Sequence, residues 1–265
     1  MSRRYHDANL AIPGDMQRGI GFVGRWSQPV KQLRDGKQGV SEVTGRWSAR
    51  RMTGAIGLAV AVLFAAGNAL WALDQPEAGA SAHQIVSFYT SASSRIIAGA
   101  SVSLLAAALL VFFASGVRTL LRDHAPDDLL PSAAFGGLLL VVATGLGAET
   151  INMAGALRAE HGQLTPELSR ALFEVSYVLG YNAAGVGIAV LLGAIVGVAW
   201  RSPSLLPRWT APPLLLLAVA FLTPLCRFLL APAVVLLAVV SIRLLLTARA
   251  ELSTVQPASK SADPA

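Results

Sequence analysis

The chain has 265 residues, of which 54% are hydrophobic and only 14% charged, and it carries a net charge of +6. Soluble domains carry roughly 25% charged residues, so the composition points away from a water-soluble fold. The single cysteine, Cys226, excludes an internal disulfide and any two-thiol redox motif.

Residues 1–50 are rich in Gly, Gln, Ser and Arg and read as a basic, disordered cytoplasmic tail. Trp26, Val30 and Leu33 are spaced for one face of a short surface-lying helix. Residues 1–51 hold 10 basic and 4 acidic side chains, which equals the whole excess of the chain. Beside a bilayer such a stretch is an orientation signal that also leans on anionic lipid, so nucleic acid is not an expected partner. No cleavable signal peptide is expected, because the first apolar run starts past residue 50.

From residue 51 to 247 apolar runs dominate. A hydrocarbon core about 30 Å thick needs about 20 apolar residues in a helix, and backbone amides in lipid must be paired within the segment. Six spans are expected, at 53–73, 96–117, 133–156, 177–200, 209–225 and 228–246. The fold class is therefore all-α: a polytopic transmembrane bundle of six helices. The last two spans arise from one stretch of oil broken at Pro224, Cys226 and Arg227, read as a turn between two short spans. A single helix kinked at Pro224 is the alternative. Of the 21 Lys and Arg, only Arg95, Arg158, Arg170 and Arg227 fall on one side of this layout. The positive-inside rule then places both termini in the cytoplasm, N-in and C-in. Residues 248–265 read as a disordered cytoplasmic tail.

Between the first two spans lies the longest connection, 74–94. Ser81 is placed to cap a short helix whose Ile85, Phe88 and Tyr89 share one face, lying along the outer interface and feeding into the second span at Arg95. The run AHQIVSFYTSASSRIIAGASVSLLAAALLVFFASGVRTLLR resembles bacterial multi-pass membrane proteins of the domain-of-unknown-function type, over roughly residues 51–200. The resemblance implies a membrane protein and supplies no catalytic residues. Together with the Arg-rich, Ala-rich composition, it makes a bacterial inner membrane the expected location.

In the fourth span Gly185, Ala189, Gly193 and Gly197 recur every fourth position. This ridge of small residues is expected to let another helix approach closely, within the bundle or in a homodimer or a complex with another membrane protein.

Ionisable groups in hydrocarbon are costly and mark function by default. Glu149 and Glu174 fall at similar depth on consecutive spans, toward the outer headgroups. With Asn68, Arg95, Asn152, Tyr177 and Tyr181 they outline an outward-facing polar pocket for a small cation, a proton or a polar ligand. The bland alternative is decoration of helix ends, with Arg170 satisfying Glu174 one turn away. No H-E-x-x-H, G-x-S-x-G or phosphate-loop motif is present, and no histidine lies within a span. No enzyme activity, cofactor or metal is therefore expected. Because the span centres look uncharged, the first expectation is a non-enzymatic component acting through partner proteins. The second is a small permease or channel-like carrier using the Glu149 and Glu174 region.

Overall fold

The computed structural model describes residues 28–71, 74–77, 79–126, 128–202 and 207–255, with side chains described between Ala49 and Thr247. The described residues are predominantly helical, without a strand among them. The elements are α1 (Gln28–Trp71), α2 (Ala82–Arg122), α3 (Leu130–Glu160), α4 (Pro166–Tyr177), a π-helical segment (Val178–Ala183), α5 (Ala184–Arg201), α6 (Ala211–Phe221) and α7 (Cys226–Val255). Five stretches are long and apolar enough to cross a membrane: Ala49–Trp71, Ala82–Arg122, Leu130–Glu160, Pro166–Arg201 and Cys226–Thr247.

By contacts the chain divides into two units, residues 1–43 and 44–265. Of the first, the described part is the beginning of α1. Residues 28–50, expected as irregular tail, are thus helical; residues 1–27, which include Trp26, lie outside the described residues. At the other end α7 carries helix to Val255, into the expected tail, and residues 256–265 lie outside the description.

α2 begins where the sequence indicates. The Ser81 hydroxyl accepts from Gln84 N–H while the Gln84 side chain accepts from Ser81 N–H, a reciprocal capping box. Ser81→Ala is expected to cost about 1 kcal/mol, read as a lower Tm in detergent, whereas Ser81→Asp keeps the cap. A separate interfacial helix does not form, because α2 runs unbroken through Arg95. No Pro or Gly lies between Ala82 and Arg95 to stop it. Its buried stripe of Ile85, Phe88, Tyr89, Ala92 and Ile96 packs against Trp71, Ala156, Ala159 and Phe173. Continuous packing replaces the bend.

The break expected near Pro224 is a turn between two helices. α6 stops at Phe221, and α7 starts at Cys226, whose N–H donates to Thr223 O. α6 falls short of the expected span over 209–225. With its leading 3-10 turn it covers Arg208–Phe221, 14 residues or about 21 Å of helix at most. Residues 222–225 are spent on the turn.

The helix Pro166–Arg201 sits innermost, with 50% of its most apolar window buried, while α7 has 6% and lies at the margin. All along the bundle bulky apolar side chains such as Val62, Leu105, Phe112, Val190, Leu216 and Val235 are exposed. A protein with this outer surface finds its match in lipid rather than water.

Close approaches are built on glycine. A Cβ on Gly187 would meet Gly137 O at 2.6 Å, and one on Gly137 would meet Gly187 O at the same distance, so α3 and α5 touch backbone to backbone. α1 and α2 cross at Gly67 and Gly99 in the same manner: a Cβ on Gly99 would lie 2.6 Å from Gly67 O.

Candidate functional site

The seven residues expected to form one pocket separate into two groups. Arg95 is exposed and pairs with Asp74 of the α1–α2 connection at 2.8 Å. Glu174 is exposed and pairs with Arg170 one turn back, at 2.7 Å. Asn68 is half-buried and donates to Phe64 O of its own helix at 2.9 Å. Each of these has a local partner, and nothing brings the two ion pairs together.

The other four lie deeper. Asn152 is buried, and its Oδ1 accepts from the Tyr89 hydroxyl of α2 at 3.1 Å. Tyr89 itself is fully buried, its ring lying on Gly155, where a Cβ would sit 2.8 Å from Cε1. Tyr177 and Tyr181 stack with centroids 4.7 Å apart. The Tyr181 hydroxyl donates to Gln75 Oε1 at 3.2 Å.

Glu149 stands at the centre of this second group. In α3, which spans 31 residues, it lies four positions past the midpoint, about 6 Å from it. α3 extends past the expected span 133–156 at both ends, so the position of Glu149 relative to the helix midpoint is the one the sequence indicates. Its Oε2 is buried without a hydrogen-bond partner among the described residues. Ser103 of α2 is close enough to interact with the carboxyl, yet Ser103 Oγ is also buried and completes no hydrogen bond.

Trp71 Nε1 is also buried without a partner, at the α1–α2 crossing. A Cβ on Gly99 would be 3.1 Å from it, and a Cβ on Gly67 would be 2.5 Å from Ser103 Oγ. Trp71 and Ser103 each follow one of the crossing glycines by one turn. The α1–α2 crossing thus sets the Trp71 indole against Gly99 and the Ser103 hydroxyl against Gly67, and of the two Ser103 lies beside Glu149. Buried polar atoms almost always find partners; five among the described residues do not, and two of them, Glu149 Oε2 and Ser103 Oγ, lie side by side, which calls for a cause.

The π-helical segment faces the same region. A Cβ on Gly180 would contact Ala148 Cβ at 3.4 Å, and one on Gly147 would contact Leu179 Cδ1 at 3.3 Å. Tyr181 lies within electrostatic reach of Glu149, Tyr177 and Cys226. Asn182 Oδ1 accepts weakly from Cys226 Sγ at 3.5 Å. Widened turns of this kind are frequent at functional sites, since they redirect side chains and loosen the backbone ladder.

The small-residue ridge of α5 does not serve a single partner. Gly185 abuts Phe221 O of α6, and Ala189 joins the cluster with Ala218, Phe221 and Cys226. Gly197 faces Leu130 at the start of α3, and Gly193 has open space. Four-residue spacing drifts about 40° per step on an ideal helix, so the row winds past several neighbours.

Ser103 and Gln75 escape the sequence reading, Tyr89 enters it only as part of an apolar helix face, and Trp71 only at the outer end of the first span. The buried serine has a faint signal, standing one turn after Gly99 inside an apolar run. Among the described residues no group of three or more His, Cys, Asp or Glu is arranged to hold a metal ion. A solvent-open cleft of about 660 Å³ lies to the side, between residues 74–80 and the α2 face carrying Gln84, Ser87, Ser91 and Arg95.

The architecture defines the class: a helical bundle whose long apolar helices suit a membrane. No family model, no curated protein and no solved structure matches the chain.

Proposed function

We propose that the protein is a small, non-enzymatic membrane carrier whose working group is the carboxyl of Glu149. One observation carries this reading: an ionisable side chain near the middle of an apolar helix, with a buried oxygen that nothing pairs. Leaving a charged group so placed costs several kcal/mol, and a fold that needed only stability would have an apolar residue there. Two further features agree with it. Ser103 offers a hydroxyl beside the carboxyl, and the π segment supplies a backbone able to shift without breaking a helix.

The carrier sits in the membrane with six crossings, both termini on the cytoplasmic side, in a bacterial inner membrane. The short α6 makes the fifth crossing together with the turn at 222–225. The end carrying residues 74–81 and 161–165 then faces outward. A component acting only through partner proteins fits an uncharged interior, and Glu149 weighs against it.

The test is flux in proteoliposomes under an imposed ion gradient and membrane potential. Glu149→Gln keeps the shape of the side chain and removes its charge chemistry. It is expected to lower flux at least tenfold while insertion and Tm stay close to those of the parent. Equal flux in parent and variant would remove the carrier reading.

A further inference from the structure

Resting on the carrier reading, we infer that the ion handled at Glu149 is a proton rather than a metal cation. The inference follows from what surrounds the carboxyl on each packed element. A carboxylate held away from water must be neutralised by a cationic side chain, a bound cation or a proton.

Among the described residues no cationic side chain acts on Glu149. Arg95 is engaged by Asp74 and Arg170 by Glu174, both at the exposed ends of their helices. Arg118 lies fifteen residues beyond Ser103 on α2, about 22 Å along the helix, with its guanidinium over the Phe135 ring.

A bare metal cation needs several oxygen ligands to replace its water: six for magnesium, six to eight for calcium. The groups facing Glu149 do not form such a set. From α2 comes one hydroxyl, Ser103. The Trp71 indole of α1, set against Gly99, is a donor only and could not serve as a cation ligand. From the π segment comes Tyr181, whose hydroxyl is held by Gln75. Asn152, one turn along α3, has its carbonyl oxygen occupied by Tyr89. The titratable groups facing Glu149 are thus Tyr181, with Tyr177 and Cys226 behind it, and none brings a positive charge.

A proton suits this company. The neutral acid both donates and accepts, and Ser103 does the same, so the pair can exchange roles as the proton arrives and leaves. The step is uptake of one proton from water by the carboxylate, giving the carboxylic acid, and its return to water on the other side. No bond other than O–H forms or breaks.

Infrared difference spectroscopy of the intact protein in lipid reads this without knowledge of any co-transported solute. The carboxylic C=O band of parent minus Glu149→Gln isolates Glu149 from the other acidic residues. The expected result is a band that appears as pH falls and vanishes as pH rises, following a single site. It is expected to stay unchanged at fixed pH on adding sodium, potassium, magnesium or calcium. Loss of the band on adding one of these cations at fixed pH would overturn the proton assignment while leaving a Glu149 carrier in place. Absence of any Glu149-dependent band that follows pH would also overturn it. Should Glu149→Gln fail to fold, Glu149→Asp provides the comparison, since it moves the band instead of deleting it. Flux that is insensitive to Glu149→Gln is the separate result that removes the carrier reading itself.

Discussion

Gly187→Ala is expected to destabilise the bundle by about 1–3 kcal/mol, the usual range for forcing one extra methyl group into a packed interior. The added Cβ would stand 2.6 Å from Gly137 O, 2.8 Å from Val141 Cγ2 and 3.0 Å from Val141 N. Two of these three atoms are backbone, which no rotamer change can move. Helix propensity works in the opposite direction, since alanine is favoured over glycine by about 1 kcal/mol in helices in water. The steric cost wins because α3 and α5 would have to separate along their whole contact. Gly193→Ala is the control, as nothing lies within 4 Å of its Cβ position. Thermal unfolding in detergent should show a lowered Tm for the first variant and an unchanged or raised one for the second. Equal behaviour would mean that α3 and α5 do not meet backbone to backbone at Gly137 and Gly187.

Tyr89→Phe is expected to cost about 1 kcal/mol and to behave unlike the removal of both partners. The hydroxyl donates to Asn152 Oδ1 across the α2–α3 contact, with Tyr89 fully buried. Interhelical hydrogen bonds within membrane bundles average about 0.6 kcal/mol, because the separated helices find other partners. Orphaning a buried acceptor costs more, about 1–3 kcal/mol. The tyrosine ring remains on Gly155 in the phenylalanine variant, so packing is kept and the loss reports the polar contact. Combining Tyr89→Phe with Asn152→Leu should recover much of the loss, since neither partner is then left unpaired. Strictly additive losses in the double variant would mean that the bond contributes nothing to the α2–α3 contact.

Some of this molecule was legible in its sequence. Long apolar runs dictate helices, since backbone groups in an apolar setting have no other means of being paired. Ser81 and Gln84 carry a capping signature that works within four residues, and the stop near Pro224 is local chain chemistry. Glu149 was visible because charge is rare among apolar neighbours. Other features escaped. α2 continues past Arg95 because its N-terminal stripe is covered by Ala156, Ala159 and Phe173, residues more than fifty positions away. Arg95 and Glu174 were grouped with Glu149 by depth alone, whereas each is engaged at its own surface. Gly193 was counted in a ridge and has open space, while Gly137 and Gly187 make the α3–α5 contact.

What the chain alone determined is where helices start, stop and turn apolar, because those choices rest on neighbours within a turn or two. Tertiary structure decided which glycines meet and which polar atom stands beside Glu149. In a bundle wrapped by oil, the face toward lipid and the face toward another helix are both apolar, so periodicity does not tell them apart. Only the crossing of α1 over α2, and of α3 over α5, reveals which small residues allow contact. The same crossings set Trp71 against Gly99 and leave Ser103 beside Glu149.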